Sequence, residues 1–195
     1  MNMKPVLFAA FAGVLLASGA ALAQDTAGPP GRPDVKKVDD WFVRCFPAQS
    51  PSPCDMFEEL DSKGGQRVLS LSLAFVPSLD RHAIQITVPL EVSLAKGLTI
   101  STDSYNSPVL RYRRCDHNGC YVEMAVDNAM IESLAKSGPQ GKITISADNG
   151  KTYDLTISLK GFAAAHDDMV SQARAKAKPV AKAGDAPAPA PGATP

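Results

Sequence analysis

The run Arg67-Val68-Leu69-Ser70-Leu71-Ser72-Leu73-Ala74-Phe75-Val76 decides the fold. Leu69, Leu71, Leu73 and Phe75 occupy every second position, and successive side chains of an extended chain point to opposite faces. One face is therefore apolar and the other small or polar, as in a half-buried strand. Ile84, Ile86 and Val88 repeat the pattern in the next run. Working outward, strands are expected at Trp41 to Phe46, Cys54 to Leu60, Leu98 to Thr102, Val109 to Cys115, Cys120 to Val126, Lys142 to Ser146 and Tyr153 to Leu159. That makes about nine, separated by turn residues at the spacing of a sandwich or barrel. Asn149-Gly150 marks a hairpin, because both residues tolerate positive φ. One helix is expected from about Asp127 to Lys136: Asp127 caps it, Met130, Ile131 and Leu134 share a face, and Gly138-Pro139 ends it. A second short helix is expected after Gly161. No strand-helix alternation is present, so the reading is all-β: an antiparallel β-sandwich with one or two short helices.

The 195 residues carry 20 Lys+Arg against 20 Asp+Glu and are 45% hydrophobic, enough for one domain with tails. A zero net charge argues against nucleic acid as the main partner. Residues 1–23 begin with Lys4, continue through the apolar run Val6 to Ala17 and close on Ala21-Leu22-Ala23, the parts of a cleavable secretory signal. The run is shorter than the about 20 residues that a spanning helix needs. Cleavage near Ala23 is expected to leave no transmembrane segment, placing the protein in the periplasm, on the outer envelope or outside the cell. Residues 24–38 are read as a flexible segment, 39–166 as the folded body and 167–195 as a basic, then Ala/Pro-rich, disordered tail. Arg174, Lys176, Lys178 and Lys182 stand against Asp185 there, so weak contact of the tail with an anionic envelope surface is expected.

An even number of cysteines in an exported chain implies disulfides, although four allow three connectivities. Local spacing favours Cys45 with Cys54 and Cys115 with Cys120, the latter around the tight reversal Asn118-Gly119. Such short loops contribute roughly 2 to 3 kcal/mol each. A zinc site on Cys115, Cys120 and His117 lacks the usual ligand spacing. No Cys-x-x-Cys, Gly-x-Ser-x-Gly or phosphate-cradling Gly-rich loop is present. His82 reads as a satisfied edge residue, His117 as a turn residue and His166 as solvent-facing. No catalytic residue, metal or cofactor is expected. Arg111, Tyr112, Arg113 and Arg114 form the candidate partner-binding cluster, because Arg and Tyr are favoured at contact surfaces.

Trp41-Phe42-Val43-Arg44-Cys45, Cys54, Pro89-Leu90 through Lys96-Gly97-Leu98, Cys115-Asp116-His117-Asn118-Gly119-Cys120 and Ser158-Leu159-Lys160-Gly161-Phe162, in this order, resemble the invasion-associated locus B family. The resemblance spans about residues 39 to 165. It implies an exported alphaproteobacterial protein with an all-β body and no catalytic residues, from a family some of whose members are linked to host-cell entry. It also implies that Cys45, Cys54, Cys115 and Cys120 are the disulfide framework and that Trp41, Gly119, Gly161 and Phe162 are structural marks. The expected function is therefore non-enzymatic binding to an envelope protein or host surface. The alternatives are a periplasmic redox or other enzyme using Cys115 and Cys120, and a structural envelope-stress factor.

Overall fold

The computed structural model describes residues 31–47 and 50–177. The expected secretory signal and the Ala/Pro-rich end of the tail lie outside the described residues. The chain runs through β1 (Asp34–Val38), β2 (Trp41–Cys45), β3 (Cys54–Asp61), β4 (Arg67–Val76), β5 (Arg81–Val88), β6 (Leu98–Ser101), β7 (Arg114–Asp116), β8 (Gly119–Val126), α1 (Asn128–Lys136), β9 (Gln140–Ser146), β10 (Thr152–Ser158) and α2 (Phe162–Lys176). Seven strands form one sheet in the order β1-β2-β3-β4-β5-β8-β7, and three form a second in the order β10-β9-β6. Every pairing is antiparallel.

The apolar alternation sets the register. Val43, Met56, Leu73 and Ile84 stand side by side on four neighbouring strands, and Leu71 lies opposite Ile86. All are buried, and each such side chain contributes about 1.5–3 kcal/mol over its exposed state. A slip of one residue would turn the whole row to water. The inner face of the large sheet is covered by the small sheet on one side and by α2, packed on β2, β3 and β4, on the other. Trp41, Leu73, Ile84, Ile100, Leu134 and Ile157 enclose only about 10 Å³ where the sheets and helices meet. Trp41 is fully buried, stands edge-on to Phe162 at 5.2 Å and donates its indole N–H to the Ser158 carbonyl at 3.1 Å.

Asp127 caps α1 by accepting the Met130 amide at 2.9 Å, and Met130, Ile131 and Leu134 are its buried stripe. Two cross-strand disulfides staple the sheet: Cys45–Cys54 joins β2 to β3 and Cys115–Cys120 joins β7 to β8. Their Cα atoms stand 4.1 and 4.0 Å apart, as expected of directly opposed residues. Among the described residues no helix is long and apolar enough to cross a membrane.

Four expectations need correction. The flexible segment 24–38 contains a strand, β1, which pairs with β2 along its length and is tied to α2 by Lys36 and Asp168 at 3.1 Å. The tail does not begin at 167, because α2 continues to Lys176, burying Met169 and Ala173. Its buried residues Phe162, Ala165, Met169 and Ala173 recur at helical spacing, which holds the segment on the sheet. The strand expected from Val109 to Cys115 shrinks to the three residues of β7. Leu110 bridges to Leu98 beside the small sheet while Arg114 pairs with Tyr121 in the large one, so the chain between them crosses from one sheet to the other. Finally, His82 is buried, and His166 meets it rather than water: their Nε2 atoms are 2.9 Å apart between β5 and α2.

Candidate functional site

The outer face of the large sheet is covered by neither the small sheet nor α2, and its register builds a groove of about 500 Å³. One outward row reads Lys37, Phe42, Phe57, Ser72, Gln85 and Glu123 across β1, β2, β3, β4, β5 and β8. The next reads Glu59, Ser70, Thr87, Tyr121 and Arg114. A third carries Arg44, Asp55, Ala74, Ala83 and Ala125. Small residues therefore fill the middle strands β4 and β5, and large ones stand on β2, β3 and β8. The result is a trough along the strands between two ridges.

The two ridges use the same chemistry. On the first, the Arg44 guanidinium lies over Phe57 at 4.6 Å and Phe46 at 5.0 Å, and Phe42 stacks on Phe57 at 5.4 Å. Arg44 donates from Nε and Nη2 to Asp55 at 3.0 and 2.6 Å, and Ser72 donates to the same carboxylate at 3.0 Å. The fork-to-carboxylate hydrogen bonds hold the Arg44 pKa above its ordinary value, although partial burial opposes them. On the second ridge, Arg114 lies over Tyr121 at 3.7 Å and pairs with Glu123 at 2.9 Å and Asp116 at 2.8 Å. Gln85 donates to Glu123 at 2.9 Å and Tyr121 to Asp116 at 3.1 Å. The Asn118 amide, then the Tyr121 hydroxyl and Arg114, hold Asp116 below the usual carboxylate range. Each guanidinium is thus fixed by an aromatic face and a carboxylate, leaving little free charge.

The four residues of the expected cluster do not share one face. Arg114 belongs to the second ridge, and Arg113 reaches out from it at 72% exposure, 4.0 Å from Glu123. Arg111 donates to the Ala95 carbonyl and so ties the crossing segment to the loop before β6. Tyr112 turns inward against the core, and burial pushes its hydroxyl up to about 12. All four cysteines are in disulfides; Cys45, Cys54 and Cys120 are buried and Cys115 is exposed. The groove residues Arg44, Asp55, Ser70, Ser72, Gln85 and Thr87 were not singled out by sequence reasoning. The pointer to them was the polar half of the alternation, the residues between the leucines and isoleucines, but only the strand register shows which of them are neighbours.

A family model described as invasion associated locus B protein matches residues 41–170. An invasion protein B homolog of Brucella abortus (strain 2308) is 32% identical over 130 residues, spanning 66% of this chain and 74% of that protein. Its counterpart in Brucella abortus biovar 1 (strain 9-941) gives the same figures. The crystal structure of invasion associated protein B from Bartonella henselae superposes with a TM-score of 0.62 at 18% identity, covering 71% of this chain and 96% of that one. That last likeness is one of fold.

Proposed function

Because this chain belongs to the invasion associated locus B family, we propose that it is an exported, non-enzymatic binding protein that acts at the cell envelope and supports association with a host surface. The observation that carries this reading is the open sheet face, where both ridges are held rigid by stacked and paired guanidinium groups. A surface fixed before contact loses little side-chain entropy on binding. Arg113 and Arg114 at the rim, with Arg111 and Tyr112 behind them, take part as the edge of that contact face. Beyond α2, Lys178 and Lys182 assist by drawing the protein toward anionic envelope surface.

A photo-crosslinking residue at Ser70, in cells making the full chain, tests the contact face. Adducts from Ser70 that are absent when the probe replaces exposed Lys136 on α1 are the expected result. Equal adducts from both sites, or none from Ser70, would overturn it. Alkylation of thiols in growing cells without added reductant, read by intact mass, tests the non-enzymatic reading, with both disulfides expected to stay closed throughout. A Cys115–Cys120 bond that cycles during growth would favour a redox enzyme instead.

A further inference from the structure

We propose that the outer-face groove is a binding site for an uncharged carbohydrate, a short neutral oligosaccharide lying along β4 and β5; this rests on reading the groove as the protein's contact face. The first argument is charge. The charged side chains lining the groove are Arg44, Asp55, Glu59 and Arg67. They pair among themselves, Arg44 with Asp55 at 2.6 Å and Arg67 with Glu59 at 2.7 Å. An ionic ligand would meet no uncancelled opposite charge, and drawing Arg44 away from Asp55, whose side chain is only 12% exposed, would leave that carboxylate without its partner.

The second argument is what remains uncommitted. Ser70 Oγ, Thr87 Oγ1, Gln85 Oε1 and Arg44 Nη1 make no hydrogen bond among the described residues, whereas Ser72 Oγ and Gln85 Nε2 are already used by Asp55 and Glu123. Free hydroxyls both donate and accept, the amide oxygen accepts and the guanidinium donates. That mixture matches a ring of hydroxyl groups. Its 500 Å³ lies within the about 300–1,000 Å³ of small-ligand clefts.

A peptide fits less well. Extended peptides are captured at sheet edges, where backbone N–H and C=O groups are unpaired, but β4 and β5 are flanked by strands on both sides. Between Phe57 and Tyr121 the groove presents Ser70, Ser72, Gln85 and Thr87, and its exposed lining is mostly polar, with Val68 and Pro89 the apolar exceptions near the strand ends rather than a deep pocket for an anchor.

Amide chemical-shift titration of the isotope-labelled protein tests the assignment, with cello-, N-acetylchito- and malto-oligosaccharides as probes and a heparin oligosaccharide and an end-capped, uncharged Gly/Ser peptide as comparators. Shifts confined to Ser70, Ser72, Gln85, Thr87 and their neighbours are expected with a neutral oligosaccharide, equally at low and high salt. Thr87→Val and Ser70→Ala should each weaken that binding about threefold to tenfold, the effect of one lost hydrogen bond, with an unchanged melting temperature showing that the fold is intact. No groove shift with any neutral oligosaccharide would overturn the proposal. Groove shifts with heparin that fade in salt, or with the peptide alone, would also overturn it. The Ser70 crosslink stands apart from these results: crosslinking without sugar binding sinks the ligand class alone, whereas the absence of both crosslinking and sugar binding sinks both readings.

Discussion

Glu58 accepts the Ser158 amide with both carboxylate oxygens, at 2.9 and 3.2 Å, from the inner face of β3. This joins the large sheet to β10 through a side chain that is only 7% exposed. Burial pushes the carboxyl up to about 7, the Ser158 amide opposes that, and Asp40 adds to it. A carboxyl whose folded pKa is raised lowers stability once pH passes the unfolded value and continues to do so up to the folded one. Glu58→Gln keeps an oxygen for the Ser158 amide and removes the charge. It should stabilise the protein by about 2 kcal/mol above pH ~7, after discounting for solvent screening, and by almost nothing near pH ~4.5. Urea melts of both proteins across that range check the slope, and a gap that does not depend on pH contradicts it.

His82 makes stability depend on pH in the opposite sense. The His166 Nδ1 faces Asp167 at 3.1 Å, which assigns its proton there and leaves Nε2 to accept from the His82 Nε2–H. Burial, then the neighbouring His166, lowers the His82 pKa; Asp80 and Asn128 oppose the shift and Arg174 adds to it. A histidine with a lowered folded pKa contributes stability that is present above about pH 6.5 and lost as pH falls toward its folded value. His166→Gln removes one of the two facing imidazoles. The variant should lose less stability than the parent between pH 7.5 and pH 5, the two curves running parallel above neutrality, as amide exchange of α2 would also report.

The staples should open in a fixed order. Cys115 is exposed, whereas Cys45 and Cys54 are both buried beneath α2, with Gln172 Oε1 3.3 Å from the Cys45 sulfur. Mild reductant followed by alkylation should label Cys115 and Cys120 first while the fold persists. Replacing that pair with alanines should cost about 2 kcal/mol. Replacing Cys45 and Cys54 should cost about 3 kcal/mol or more, because the loop is longer and two buried sulfurs leave space behind. Labelling of Cys45 and Cys54 before the other pair would refute this order.

Gly119 begins β8 at φ +144, and a Cβ there would run into the Val88 carbonyl oxygen. Gly119→Ala should therefore cost about 2–4 kcal/mol, combining backbone strain with the displacement of β5. Gly150, at φ +83 in the β9–β10 turn, has open space around it, so Gly150→Ala should cost only about 1 kcal/mol. Melting curves of the two variants give the comparison, and equal losses would show that the Val88 contact carries no weight.

The alternation at Leu69 to Phe75 and Ile84 to Val88 made the middle of the large sheet legible, because a strand buried on one face writes its register into the sequence. The Asp127 cap did the same for α1. β1 escaped because its residues Asp34 to Lys37 are exposed and nothing apolar repeats along it. The helix expected after Gly161 is α2, but its length escaped, because two of its four buried residues are alanines and Asp167-Asp168 beside His166 read as solvent-facing sequence. The groove and the histidine pair are products of register and of packing between elements: Ser70 meets Thr87 across a strand pair, and His82 meets His166 across 84 residues. No local pattern encodes such meetings.

The one-sided covering of the large sheet has a consequence for evolvability. Residues such as Leu73 and Ile84 must match a packed interior, so a change of one methylene group is felt there. Ser70 and Thr87, on the opposite face of the same strands, face no such partner, and substitutions at sites of this kind usually shift stability by no more than about 0.5 kcal/mol. A lineage can therefore redraft what the outward surface recognises while leaving the interior as it stands. A protein engineer could graft a new specificity onto the same seven strands by the same route.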